Sequence, residues 1–144
     1  QLILSHPFYK SDLMFIQSVF DDATIPRPRS TKIKYLQSSD RIETILIYAN
    51  DSYSMHIDLF ATHPKNFSLI RHPERRRGMG TKLLVMTIQE AYKQTPFKLV
   101  TLFSRRTSKP FYRKFGFVEP PDKSRDYMEL TGENLQKVLA LKFS

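Results

Sequence analysis

Arg75, Arg76 and Arg77 run straight into Gly78-Met79-Gly80-Thr81-Lys82, and a helical pattern begins at once with Leu83 and Leu84. Glycine lets a backbone turn tightly and lets a ligand approach the main chain with no Cβ in the way. A helix beginning here leaves its first N–H groups unpaired, with the positive end of the helix dipole behind them. With three guanidiniums beside it, the stretch has the outline of a phosphate cradle. The same residues also read as a basic turn with a glycine helix cap, and by themselves they do not choose between the two.

Other chemistry is narrowed by what the chain lacks. It has no cysteine, which excludes disulfides, thiolate nucleophiles and cysteine metal sites. Its four histidines show no metal-ligand spacing, so no metal is expected. His6 and His63 precede prolines and read as turn residues.

The elements that must position the basic loop are read from periodicity. Residues 1–5 are a short apolar strand, broken at His6-Pro7. Leu13, Ile16, Val19 and Phe20 recur at helical spacing over residues 11–23, with Ser11 or Asp12 as cap. Pro26 and Pro28 make residues 25–30 a loop, and residues 30–36 are assigned a second short helix. Residues 41–50 form a strand rich in β-branched side chains, Asn50-Asp51-Ser52 a turn, and residues 53–61 an alternating strand that closes a hairpin. In that strand Met55, Ile57 and Leu59 share one face, and His56, Asp58 and Phe60 the other. Residues 67–71 are a third strand leading into the basic loop, and the helix after it stops at Pro96. A buried strand follows at residues 97–103. Residues 109–115 are a short helix with Pro110 in its first turn and Gly116 as terminator. A strand at residues 127–130 and a helix at residues 134–141 complete the chain. Strand–helix–strand over residues 67–103 is long enough for a parallel crossover, while the preceding hairpin is antiparallel. The fold class is therefore α/β (α+β): a mixed, mostly antiparallel sheet with helices on both faces.

The length of 144 residues suits one domain over residues 1–144, and no boundary or repeat interrupts it. Hydrophobic residues at 40% are enough for a core, so disorder is not expected. A net charge of +9 favours anionic partners without naming one. No apolar run approaches the roughly 20 residues of a membrane span. No basic segment followed by an apolar stretch opens the sequence, so no signal peptide is expected and the reading is a cytoplasmic (intracellular) protein off the membrane.

Two motifs together carry a resemblance. Arg75-x-x-Gly78-x-Gly80 stands between a strand and a helix, and Lys109-Pro110-Phe111-Tyr112-Arg113-Lys114-Phe115-Gly116-Phe117 follows after a helix and a strand. They resemble the Q/R-x-x-G-x-G/A acyl-CoA signature and the F-Y-x-x-x-G-F segment of the GCN5-related N-acetyltransferase (GNAT) superfamily. The element order extends the resemblance over essentially the whole chain. It implies a GNAT-like acyl-CoA N-acyltransferase fold and transfer of an acetyl group from acetyl-CoA to a primary amine, by direct attack through a ternary complex. Coenzyme A is then the co-substrate. Its pyrophosphate would rest on Arg76, Arg77, Gly78, Met79, Gly80 and Thr81, with Arg75 adding charge and Lys82 helping. Its pantetheine arm would lie between two splayed strands, residues 67–71 and 97–103, lined by Leu69, Ile70 and Arg71. Ser104, Ser108 and Phe111 fall near the cofactor in the same template, and Lys109, Arg113 and Lys114 could meet its 3′-phosphate, although a basic helix face in water explains such residues as well.

The reaction needs a neutral amine and a proton for the departing thiolate. A lysine-like amine titrates near 10.4, so it must first lose a proton. By resemblance Tyr112 is the general acid; read plainly it is also a core aromatic beside Phe111, Phe115 and Phe117. For the general base the candidates are His72, His56, Asp58 and Glu43, each of which also reads as a solvated or structurally paired side chain. His72 is preferred because it borders the loop and histidine titrates in a suitable range. The chain departs from the family pattern at His72-Pro73, where the family often has its proline one place earlier, and at Arg71, which stands where an apolar residue is usual. The acceptor, an amine on a small molecule, peptide or protein, would enter beside the loop carrying Arg27 and Arg29, which suit an acidic acceptor or simple solubility. The oligomeric state is open, a homodimer included. Two rivals stand beside this reading: a basic nucleic-acid-binding module using Arg75, Arg76, Arg77, Arg105 and Arg106, and a CoA-binding fold member without catalysis. The first rests on charge alone, and the chain lacks an interleaved aromatic RNA-binding signature.

Overall fold

The structure is a computed structural model that describes residues 31–37, 42–62 and 78–142. Within them five strands form one sheet in the order β1-β2-β3-β4-β5: β1 Lys32–Gln37, β2 Ile42–Asn50, β3 Ser54–Thr62, β4 Leu99–Phe103 and β5 Tyr127–Thr131. Only β3 and β4 pair in parallel; the other neighbours are antiparallel. The helices are α1 Met79–Gln94, α2 Lys109–Arg113 and α3 Gly132–Leu139, with a 3-10 turn at Arg106–Ser108 before α2. The expected elements at residues 1–5, 11–23 and 67–71 lie outside the described residues.

β2 is the spine. Every residue from Ile42 to Tyr48 is buried, as expected of a strand covered on both faces. Leu46 and Tyr48 join Met55, Ile57, Leu84, Ile88, Val100 and Leu102 in the larger core under α1. Ile42, Ile45 and Ile47 form a second cluster with Ile33, Tyr35, Leu59 and Ala61 on the opposite face. Each fully buried aliphatic side chain of this kind is worth about 1.5–3 kcal/mol over its exposed state.

Two expectations are corrected here. The short helix assigned to residues 30–36 is instead β1, whose backbone bonds go to β2 from Lys32↔Tyr48 to Gln37↔Ile42. Ile33 and Tyr35 alternate with Lys34 and Leu36, a period of two that a strand satisfies and a helix would scatter. On the α1 side Lys34 Nζ donates to Glu90 Oε1 at 2.8 Å. The second correction concerns β3. Its register with β2 steps from Ile47↔Leu59 to Tyr48↔Ile57, so Asp58 is an extra residue in a bulge. A bulge resets the alternation of side chains beyond it. Met55 and Ile57 do share the α1 face, but Leu59 and Ala61 pack on the far face while Phe60 turns to the α1 side.

The remaining connections are made by specific polar groups. The turn between β2 and β3 closes on Asp51 Oδ1, which accepts from the N–H groups of Tyr53 at 2.8 Å and Ser54 at 2.9 Å. α1 ends at Thr95, which takes an extended conformation before Pro96. Gln89 Nε2 donates to the carbonyls of Val138 at 3.1 Å and Leu141 at 2.7 Å, so a side chain of α1 satisfies the C-terminal end of α3. Among the described residues no helix is long and apolar enough to cross a membrane.

Candidate active site

The parallel pairing of β3 with β4 runs from Ser54↔Leu99 to Ile57↔Leu102 and stops there. β3 continues past the Asp58 bulge to Thr62. β4 ends at Phe103, and the chain is drawn away by a bond from the Ser104 N–H to the Asp126 carbonyl at 2.8 Å. The two strands therefore part just after Ile57, and the bulge adds twist at the point of parting. β4 has β3 on one side and β5 on the other. This corrects the expectation that residues 67–71 are its parallel partner: both edges of β4 are already taken, and the strand beside the opening is β3.

α1 begins at this opening. Gly78, its N-cap, has φ +78°, the left-handed region that glycine occupies without strain, and a Cβ built there would meet nothing within 4 Å. The first helical bond runs from Lys82 N–H to the Gly78 carbonyl at 3.0 Å, so the N–H groups of Met79, Gly80 and Thr81 precede any intrahelical acceptor. Among the described residues no side chain caps this end, and no acidic residue lies in the first turn of the helix. Gly80 has a different task. A Cβ there would stand 3.3 Å from Phe60 Cζ and 3.5 Å from Thr62 Oγ1, so this glycine lets the first turn of α1 close onto β3.

Phe60 links that turn to Tyr112. The two rings are 6.4 Å apart between centroids, and Tyr112 also packs against Phe111 at 5.3 Å and Phe117 at 5.6 Å. Phe60 and Phe111 are themselves 5.9 Å apart. Tyr112 is only 6% exposed. Burial disfavours its phenolate and pushes the hydroxyl up to about 12, so it carries its proton throughout the neutral range.

The polar residues expected around the cofactor divide. Ser104 is buried, and its hydroxyl donates to the Arg105 carbonyl at 2.9 Å. Ser108 precedes α2, with its N–H on the Arg105 carbonyl at 3.0 Å. Lys109 is buried and donates to Glu119 Oε2 at 3.1 Å and to the Arg125 carbonyl at 2.9 Å. Arg113 donates to the other oxygen of Glu119. These donors, Arg113 first, hold the Glu119 carboxyl below the usual carboxylate range. Lys109 and Arg113 thus clamp α2 to the following loop. Lys114 lies over the Phe111 ring at 5.3 Å.

Of the proposed bases, His72 lies outside the described residues, as do Leu69, Ile70, Arg71, Arg75, Arg76 and Arg77. Glu43 is fully buried in β2, one strand away from the opening. His56 and Asp58 sit at the opening itself, on β3. Sequence reasoning missed their neighbours Thr101, Phe103, Tyr127 and Glu129, because only the β3–β4–β5 register brings them together. Among the described residues no group of three or more His, Asp or Glu side chains is arranged to hold a metal ion.

A sheet opened between two parallel strands, with a glycine-capped helix end and a buried tyrosine at the opening, is an acyl-CoA transferase arrangement. The family model described as "Acetyltransferase (GNAT) domain" matches residues 35–128, most of the chain, and the protein belongs to that acetyltransferase family. Solved structures share the fold at low identity. Tetrahymena GCN5 matches with TM-score 0.58 at 13% identity, over 81% of this chain and 84% of that one. A KacTA–DNA complex matches with TM-score 0.61 at 13% identity, over 94% and 89%. The PaiA N-acetyltransferase of Thermoplasma acidophilum, solved with coenzyme A, matches with TM-score 0.56 at 13% identity, over 83% and 69%. Comparison of the sequence with curated proteins gives no significant match.

The residues present fit the family's co-substrate. The N–H groups of Met79, Gly80 and Thr81, which precede any intrahelical acceptor, and the open space at Gly78 suit a pyrophosphate. The backbone of β3 beyond Ile57, which β4 leaves unpaired, suits an amide-bearing arm lying along a strand edge.

Proposed function

We propose that this chain transfers an acetyl group from acetyl-CoA to a primary amine by direct attack within a ternary complex. The observation that carries the reading is the contact chain Gly80–Phe60–Tyr112, which joins the anion-suited helix end to a buried, protonated phenol across the opened strand pair. When bound, acetyl-CoA supplies an activated thioester. The N–H groups of Met79, Gly80 and Thr81 hold the pyrophosphate, and the arginines at 75–77 add charge beside them. β3 beyond Ile57 takes the place first given to Leu69, Ile70 and Arg71 as the edge along the pantetheine arm. Tyr112, neutral until about pH 12, holds a proton for the departing thiolate. Lys109 and Arg113 fix α2, and through it Tyr112, by their bonds to Glu119 and the Arg125 carbonyl.

The test is a calorimetric titration with acetyl-CoA, followed by a CoA-release assay over a panel of amines. Saturable binding with amine-dependent release is expected. No binding at high micromolar acetyl-CoA would sink the reading, and binding without release across the panel would favour a fold member that has lost catalysis.

A further inference from the structure

Gly116 ends the segment that carries Tyr112, and it does so against a side chain of α3. Its φ is +98°, in the left-handed region, and a Cβ built on it would stand 2.7 Å from Asn134 Cβ and 2.8 Å from Asn134 Cγ. Two separate demands therefore fall on one residue: a backbone conformation that other residues adopt only under strain, and an approach that a methyl group would block. The approach brings Asn134 Nδ2 to 3.2 Å from the Gly116 carbonyl, to which it donates. Asn134 stands in the first turn of α3, beside Leu135, which is buried in the same core as Tyr112 and Phe117.

The bond holds the turn around the tyrosine. The Tyr112 carbonyl accepts from the N–H groups of Phe115 at 3.0 Å and Phe117 at 3.4 Å, the residues on either side of Gly116. Their rings belong to the same packing. Phe117 lies 5.6 Å from Tyr112, and Phe115 lies 5.2 Å from Phe111, which in turn lies 5.3 Å from Tyr112. Beyond the turn, Val118 exchanges two backbone bonds of 2.9 Å with Glu129 of β5. Lys109 and Arg113 tie the helix itself to Glu119. Asn134 adds a bond from a different element, at the turn.

We propose that Asn134 is a positioning residue for the reaction: by holding the Gly116 carbonyl it fixes the turn that sets where the Tyr112 hydroxyl stands. α3, which lies outside both sequence motifs, thereby takes part in catalysis. The inference rests on the reading of Tyr112 as the acid. A general acid serves only within hydrogen-bond reach of the atom it protonates, and a displacement of about 1 Å can cost about 100-fold in rate. Tyr112 is buried, so its hydroxyl goes where its backbone and the flanking rings put it. An amide is also suited to the task, since it donates without titrating and so holds the turn equally across the working pH range.

CoA release at saturating acetyl-CoA, with the best amine of the panel above, is compared for wild type, Asn134→Ala, Tyr112→Phe and the double variant. Asn134→Ala should lower kcat about tenfold or more and leave the Kd for acetyl-CoA unchanged. In the Tyr112→Phe background the same substitution should cost less than about threefold, because no hydroxyl is left to misplace, a non-additivity that a merely structural role would not give. Gln89→Ala, which loosens the other end of α3, should destabilise the fold and keep kcat. In wild-type protein the Asn134 amide proton bonded to Gly116 should exchange with solvent more slowly than the side-chain amide protons of exposed Gln136, a readout that needs no variant to fold. An Asn134→Ala kcat within about threefold of wild type, equal losses in the two backgrounds, an equal loss in Gln89→Ala, or equal exchange at Asn134 and Gln136 would each overturn the proposal. Wild-type protein that releases no CoA with any amine, or Tyr112→Phe at an unchanged rate, overturns the reading of Tyr112 and the role of Asn134 with it. A slowed Tyr112→Phe beside an unchanged Asn134→Ala overturns the role of Asn134 alone.

Discussion

Tyr112 is held by Phe60, Phe111 and Phe117, and this packing serves stability and chemistry together. Tyr112→Phe keeps the ring and removes only the hydroxyl. It should lower kcat about 100-fold or more with acetyl-CoA affinity unchanged in a calorimetric titration. Its stability should also respond to alkali. The folded protein holds the phenolic proton to about pH 12, whereas the unfolded chain releases it near 10.0. The stabilisation is thus fully present below pH 10 and is lost as pH rises towards 12. Urea melts at pH 9 and 11 should show wild type losing about 1 kcal/mol relative to Tyr112→Phe, and equal losses would show that burial does not hold the proton. The two loop glycines separate in the same way. Gly78→Ala meets no atom but must adopt φ +78°, at about 1–2 kcal/mol. Gly80→Ala has an ordinary helical backbone but presses on Phe60 at 3.3 Å. A shorter side chain at 60 should therefore relieve Gly80→Ala and leave Gly78→Ala as it was, a coupling that a double-mutant cycle in thermal unfolding reads directly.

At the scale of elements, α3 is eight residues long and depends on its neighbours. Gln89→Ala removes the donor to the Val138 and Leu141 carbonyls and should cost about 1–3 kcal/mol in chemical denaturation, with a value near zero showing that water satisfies those carbonyls equally well. The elements also show where sequence reading reached and where it stopped. The glycine start of the long helix at Gly78, its stop before Pro96 and the short Pro110 helix were all legible, because each depends on local backbone rules. β1 was misread as a helix because Lys32 to Leu36 shows its period of two over only a few residues, and its partner β2 settles the matter. Phe60 was assigned to the wrong face because the Asp58 bulge is a property of pairing with β2, invisible along one strand. For the same reason the neighbour of β4 was taken from residues 67–71 instead of β3. The polar cluster around His56 was illegible, since its members come from three strands spread over residues 56–129 and meet only through register.

For the molecule as a whole, net charge +9 can serve a nucleotide co-substrate or nucleic acid, and the two differ in how they answer salt. Acetyl-CoA at 100 times its Kd should stabilise the fold by about 2.7 kcal/mol, read as an upward shift in Tm. A pyrophosphate held largely by backbone N–H groups should lose little of that shift between 50 and 200 mM salt. A nucleic-acid module contacting several phosphates should lose about a thousandfold or more in affinity over the same range. A Tm shift that vanishes in moderate salt, together with salt-sensitive binding of labelled RNA or DNA, would return the basic-module reading to first place.

The parting of β3 and β4 after Ile57 has a consequence for amide exchange. From Ser54 to Ile57 the two strands share a ladder, while beyond it the side of β3 turned towards β4 has none of the described strands beside it. In the protein alone, β4-facing amides in the first half of β3 should exchange with deuterium slowly and those at 58–62 quickly, with the change falling at a single residue. Acetyl-CoA should slow the second group and leave the first as it was. The missing stretch of ladder would thus be completed by the substrate, and the exchange pattern along one nine-residue strand would trace where the arm lies.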